Sequence, residues 1–166
     1  ATFRTLLAFS LQNNLATKAV DFWNAFVHAS FPEGEEIYVE VSATFQGISD
    51  AGIFSQDDCV LKLDKSLYGL KNAPLLWFQE LKRALEAQGF EQASDLEPCM
   101  FTKGDMIALV YVDDCLFFAK DESKIDELIE NLRKAQFTLT VEDDVYAFLG
   151  IEVEQGFDDQ GTLNRI

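Results

Sequence analysis

Residues 107–119 read IALVYVDDCLFFA, and no other stretch limits the possible folds as much. Segments 107–112 and 115–119 have strand length and are rich in β-branched and aromatic residues, with Asp113 and Asp114 near the junction between them. The pattern predicts a β-hairpin with the two acids at or beside its tip. Ordinary tips favour Asn-Gly or Asp-Gly, which tolerate positive φ; here a pair of carboxylates sits at the mouth of an apolar sheet. Like charges so close repel and raise each other's pKa, so the pair is either neutralised by a cation or is a solvated acidic turn. Asp57-Asp58, Asp143-Asp144 and Asp158-Asp159 repeat the dipeptide among loop residues and read as solvated turns.

A chain of 166 residues with 48% hydrophobic content and 15 phenylalanines has enough apolar surface for one domain with a substantial core. No run approaches the roughly 18 apolar residues of a membrane span, and no signal peptide is visible. Cys59, Cys99 and Cys115 are scattered without metal-ligand spacing and read as buried free thiols of a reducing compartment. The net charge of −16, not confined to one tail, argues against a broad nucleic-acid surface, since phosphate binding requires Lys and Arg. A start at Ala1 without Met and a stop soon after DDQG are expected of a fragment of something larger.

In chain order, Phe3, Leu6, Leu7, Leu11 and Leu15 recur near helical period over 2–15. Residues 17–21 read as a short strand ending in Asp21, followed by a compact turn or short helix containing Phe22, Ala25 and Phe26. His28, the single histidine, has no neighbouring ligand and reads as a surface or packing residue. Alternation at 37–41 and 60–64 predicts two paired strands joined by a polar connection over 42–58. Pro74 is expected at the first position of a helix with Trp77, Phe78, Leu81 and Leu85 on one face and Gly89 as its C-terminal cap. Residues 99–102 should pair with 107–112 about Gly104. Asp121 caps a helix to about Lys134 whose inward face is Ile125, Leu128, Ile129 and Leu132. Residues 137–141 form a strand, Glu142-Asp143-Asp144 a turn, and 146–153 a further strand. The order predicts an α+β fold.

Four motifs then stand in sequence: VDFWNAF (20–26), KSLYGLKNAPLLW (65–77), YVDD (111–114) and FLGIEV (148–153). Together they resemble reverse transcriptases, specifically those of copia-type LTR retrotransposons, over nearly the whole chain. The resemblance implies an antiparallel polymerase-palm sheet with helices packed on one face, residues 1–166 being the palm with part of the fingers. It implies RNA-directed DNA polymerase activity by two-metal nucleotidyl transfer, with two Mg²⁺ or Mn²⁺ ions. Asp21 and Asp113 would be the principal metal ligands, Asp114 would complete the triad, and the backbone carbonyl of Phe22 would join them. Strand 17–21 should therefore lie against the 107–119 hairpin. Phe26 would pack under the incoming sugar, Tyr68 and Gly69 beside the nucleotide and template base, Tyr111 and Val112 along the primer terminus and nucleotide. Phe148, Leu149 and Gly150 would grip the primer end.

Implied partners are an RNA/DNA template-primer, dNTPs and the rest of a Pol polyprotein with integrase and RNase H, with no membrane. The implied location is cytoplasmic, in a virus-like particle, or nuclear. The chain departs from the family pattern at Leu75, often Arg, and in DFWN, which lacks the usual basic residue after the first Asp. The family's basic fingertips would precede Ala1, and its thumb, connection and RNase H parts would follow Ile166. A different class of reading is a degenerate or domesticated, non-catalytic remnant acting as an acidic interaction domain; a third is a cation-binding acidic module unrelated to polymerases.

Overall fold

The computed structural model describes residues 2–40, 47–49, 52–54, 60–94, 97–142, 147, 148, 151–153, 156, 157 and 163–165. The elements in chain order are α1 (Thr2–Gln12), β1 (Ala16–Phe22), α2 (Ala25–His28), β2 (Ile37–Glu40), β3 (Gly47–Ser49), β4 (Gly52–Phe54), β5 (Val60–Leu63), α3 (Ala73–Ala87), β6 (Glu91–Ser94), β7 (Glu97–Lys103), β8 (Met106–Tyr111), β9 (Asp114–Ala119), α4 (Glu122–Lys134), β10 (Leu139–Glu142), β11 (Ala147–Phe148), β12 (Ile151–Glu152), β13 (Gly156–Phe157) and β14 (Leu163–Arg165). They fall into two compact units, residues 26–80 and the remainder, with α3 spanning the boundary in sequence.

Three helices return the chain to the sheet by the same device. After α1, α3 and α4 a residue adopts positive φ: Asn14 (49°), Gly89 (85°) and Gln136 (72°). The next residue's N–H then bonds six residues' span backward: Leu15 to Ser10, Phe90 to Leu85 and Phe137 to Leu132. These are Schellman endings, which satisfy orphan carbonyls and seat a buried apolar residue just beyond the helix. Leu15, Phe90 and Phe137 are all buried, and each leads into a strand: β1, β6 and β10. At the other end of α4, Asp121 accepts a bond from the Ser123 N–H at 3.0 Å, the cap expected from sequence.

The larger unit is built on a six-stranded sheet of order β10-β1-β9-β8-β7-β6, antiparallel throughout. Side chains alternate between its faces. One face carries Ala19, Leu109, Leu116 and Phe118, packed with Phe3, Leu6 and Leu7 of α1 and with Leu15, Phe148 and Val153. The other carries Lys18, whose Nζ lies 2.9 Å from Glu122 and 2.7 Å from Asp126 of α4. The α+β class is as expected, but the helices do not share one face: α1 covers one side and α4 the other. The reason is the chain path, since α1 enters β1 directly whereas α4 connects β9 to β10. Lys124 of α4 also reaches Asp105 in the β7–β8 turn at 2.6 Å.

Other expectations change in detail. The helix expected to reach Leu15 ends at Gln12, because Asn14 takes the left-handed turn. β6 arises where no strand was expected, and 146–153, expected as one strand, holds two short strands paired with each other. β2 and β5 pair antiparallel as expected, within the smaller unit, and the connection between them contains the β3–β4 pair. In that unit His28 is a packing residue, its ring 6.1 Å from that of the buried Trp77. Cys99 is half-buried and Cys115 buried, both as free thiols, while Cys59 lies outside the described residues. No helix among the described residues is long and apolar enough to cross a membrane.

Candidate active site

The register of the central strands decides which side chains meet. Tyr111 pairs with Asp114, Asp114 with Asp21, and Asp21 with Thr140, a continuous row across β8, β9, β1 and β10. Residues in such a row point to the same face. That face is the one covered by α1, and the acids stand where the apolar cover ends. Asp21 is therefore directly opposite Asp114 although 93 positions separate them in the chain.

The hairpin tip is Val112-Asp113, not the two acids together, so Asp114 is the first residue of β9. Val112 takes φ 55°, an unusual conformation for a β-branched residue. The Phe22 N–H donates to the Asp113 carbonyl at 2.9 Å, and the Trp23 N–H to Thr138 at 2.9 Å. The first bond fastens the tip to the end of β1, and the second ties that end to the residue before β10. The Phe22 side chain is buried on the opposite face, edge-on to Phe137 with ring centroids 5.8 Å apart, so Phe22 meets the acids through its backbone. Tyr111 and Val112 are exposed beside them.

A cavity of about 190 Å³ opens at the acids, with Asp21, Asp114, Glu142 and Phe148 among its walls. Burial first, then the charges of Asp113 and Glu142, raise the pKa of Asp21 above its ordinary value. Asp114 is raised by burial and then by Asp113, Asp21 and Glu142. Glu142 was expected in a solvated turn; it is instead the last residue of β10. Continuing the alternation of residues 137–141 by one position would have put Glu142 on the strand, opposite in face to Leu139 and Val141, but no local signal says that β10 lies beside β1.

The carboxylates of Asp21, Asp114 and Glu142 offer hard oxygen donors, and among the described residues no lysine or arginine lines the cavity, which suits hard cations such as Mg²⁺ or Mn²⁺. Among the described residues no three His, Cys, Asp or Glu side chains close into a ready metal cage. Mg²⁺ does not require one: it is commonly held by one or two carboxylates with water and substrate phosphates completing the shell.

The larger unit thus brings together Asp21, Phe22, Tyr111, Val112, Asp113, Asp114 and Phe148. Leu149 and Gly150 lie outside the described residues. Phe26, Tyr68 and Gly69 belong to the smaller unit, where the Phe26 and Tyr68 rings pack 4.6 Å apart at 56°. Gly69 adopts φ 97° with open space where a β-carbon would stand, so it is the backbone conformation that requires glycine in this turn.

Residues 1–162 match the family described as reverse transcriptase (RNA-dependent DNA polymerase). The chain is similar to the retrovirus-related Pol polyprotein from transposon TNT 1-94 of Nicotiana tabacum, at 32% identity over 81% of this chain and 10% of that protein. It is 29% identical to the Pol polyprotein from transposon RE1 of Arabidopsis thaliana, over 93% of this chain and 10% of that protein. It is 28% identical to the truncated transposon Ty1-A Gag-Pol polyprotein of Saccharomyces cerevisiae, over 90% of this chain and 12% of the relative. The chain therefore spans about a tenth of the length of these curated relatives.

Proposed function

Because this chain belongs to the reverse transcriptase (RNA-dependent DNA polymerase) family of copia-type LTR retrotransposons, we propose that it is the palm, with part of the fingers, of a Pol polyprotein that copies RNA into DNA. The observation that carries this reading is the pairing of Asp21 with Asp114 beside the Asp113 tip, which juxtaposes acids from two distant motifs on one sheet face.

Asp21 and Asp113 are the principal holders of divalent cations, with Asp114 beside them and the Phe22 carbonyl as an added oxygen. Two such ions, when bound, supply activation of the primer 3′-hydroxyl and charge stabilisation at the leaving pyrophosphate. The chain's own residues do the positioning. Tyr111 and Val112 present an exposed surface for the primer terminus and nucleotide, and Phe148, with Leu149 and Gly150, holds the primer end. Phe26, its ring braced by Tyr68, limits space at the sugar and disfavours a 2′-hydroxyl, while Gly69 keeps the neighbouring turn in shape. Template-primer, dNTPs and the remaining Pol domains, including integrase and RNase H, are the partners.

Primer extension on a homopolymeric RNA template by the full-length protein carrying this chain tests the reading. Activity should require Mg²⁺ or Mn²⁺ and fall by at least about 100-fold in Asp113→Asn, the scale of losing a group that stabilises transition-state charge. Phe26→Ala should admit ribonucleotides while retaining deoxynucleotide incorporation. An active Asp113→Asn enzyme would overturn the assignment of the acids, and an unchanged ribo/deoxy ratio would reduce Phe26 to a packing residue.

A further inference from the structure

We propose that Glu142 is a fourth carboxylate of this site, a positioning residue that strengthens the hold of Asp21, Asp113 and Asp114 on divalent cations. The proposal rests on the polymerase reading and adds to it a residue outside all four sequence motifs.

Four observations converge. Asp21 pairs with Thr140 and Ala19 with Glu142, so Glu142 is the diagonal neighbour of Asp21 on the same sheet face. Diagonal neighbours stand about 7–8 Å apart, within reach of a side chain as long as glutamate. Glu142 also lines the cavity shared by Asp21, Asp114 and Phe148. Its charge bears on both Asp21 and Asp114, and among the described residues no lysine or arginine lines that cavity to offset it. Among the described residues Glu142 has no ion-pair partner. Affinity of oxygen-ligand sites for divalent cations rises with the number of carboxylate charges at the site. A fourth acid therefore adds attraction for cations, and in their absence it adds repulsion toward a triphosphate.

An exposed charge on an edge strand also discourages pairing with a second chain, and β10 is an edge of its sheet among the described residues. That role is indifferent to cations, so metal affinity separates the two. Mn²⁺ binding to the chain is measured by the loss of free-ion electron paramagnetic resonance signal, for the parent, Glu142→Gln, Glu142→Asp, Asp21→Asn and the control Glu130→Gln on α4.

Glu142→Gln is expected to weaken Mn²⁺ binding about three- to tenfold, the scale of one charge acting on a divalent ion at this range through water-like dielectric. Glu142→Asp should recover most of the loss, and Glu130→Gln should bind as the parent does. Melting curves of the same samples verify that each variant is folded, and the charge-retaining Glu142→Asp decides the case should Glu142→Gln melt early. Unchanged affinity in Glu142→Gln, with a loss in Asp21→Asn, would overturn the role of Glu142 and leave the acid site standing. Failure of the parent to bind Mn²⁺ at millimolar concentration would instead overturn the metal reading on which the proposal rests.

Discussion

At Asp21 and Asp114, burial and the repulsion of neighbouring acids act in the same direction, and both carboxyl groups are raised above the ordinary value of 3.8. Folding therefore disfavours their ionised forms. The penalty is absent below pH 3.8, where both folded and unfolded chains are protonated, and it grows as pH rises through the raised values. Asp114→Asn removes one of the charges and should stabilise the metal-free protein at pH 7 by up to about 1 kcal/mol, a figure held low because water reaches both groups. Melting temperatures across a pH series test this: the advantage of the variant should narrow as the pH falls toward 4, and a variant that melts below the parent at pH 7 would refute it. Millimolar Mn²⁺ should raise the melting temperature of the parent through mass action, and less so that of the variant. Equal shifts would mark the acids as an ordinary turn. Val112 adds a second local cost, of about 1–3 kcal/mol for a non-glycine side chain held at strained φ, ψ. It persists because Tyr111–Asp114 pairing and the Phe22–Asp113 hydrogen bond fasten the turn on both sides.

The strands and helices are joined by devices whose energies can be tested separately. Gln136 occupies the left-handed position after α4 at φ 72°, where glycine carries no β-carbon penalty. Gln136→Gly should stabilise the protein by about 0.5–1 kcal/mol, seen as a higher urea midpoint at unchanged slope; a lower midpoint would mean that the glutamine side chain contributes more than its backbone costs. Lys18 is 7% exposed on the reverse face of the strand that carries Asp21, and its ammonium is shared by Glu122 and Asp126. Neutralising both acids leaves the ammonium without either charge in a poorly solvated position. Glu122→Gln with Asp126→Asn should destabilise by about 1–2 kcal/mol, discounted because both carboxylates are themselves largely exposed. Lys18→Met should cost less than this double change, since two exposed carboxylates are readily rehydrated. Denaturant titrations of the two variants give the order, and the reverse order would show that Lys18 contributes through its stem more than through its charge.

For the whole molecule the dominant quantity is its charge of −16. Phosphate contacts require cations, so this chain by itself should bind primer–template weakly, and a filter-binding titration giving sub-micromolar affinity near ~150 mM salt would contradict that. Much of the fold was legible beforehand. The two apolar runs about Asp113-Asp114, the Asp121 cap, the Gly89 stop and the inward stripe of α4 are local patterns, each dictated by side-chain period or backbone freedom within a few residues. Four ordered motifs also carried the family. What the sequence alone could not assign was which residues face one another. Leu139–Glu142 returns beside Ala16–Phe22 only after the chain has passed through the hairpin and α4, so the approach of Glu142 to Asp21 is set by long-range register. The placement of α1 and α4 on opposite faces has the same origin. Periodicity determines that a residue alternates; the strand that pairs with it, and hence the company its charge keeps, is decided by the tertiary structure, because only the packed sheet selects one register among those the local pattern allows.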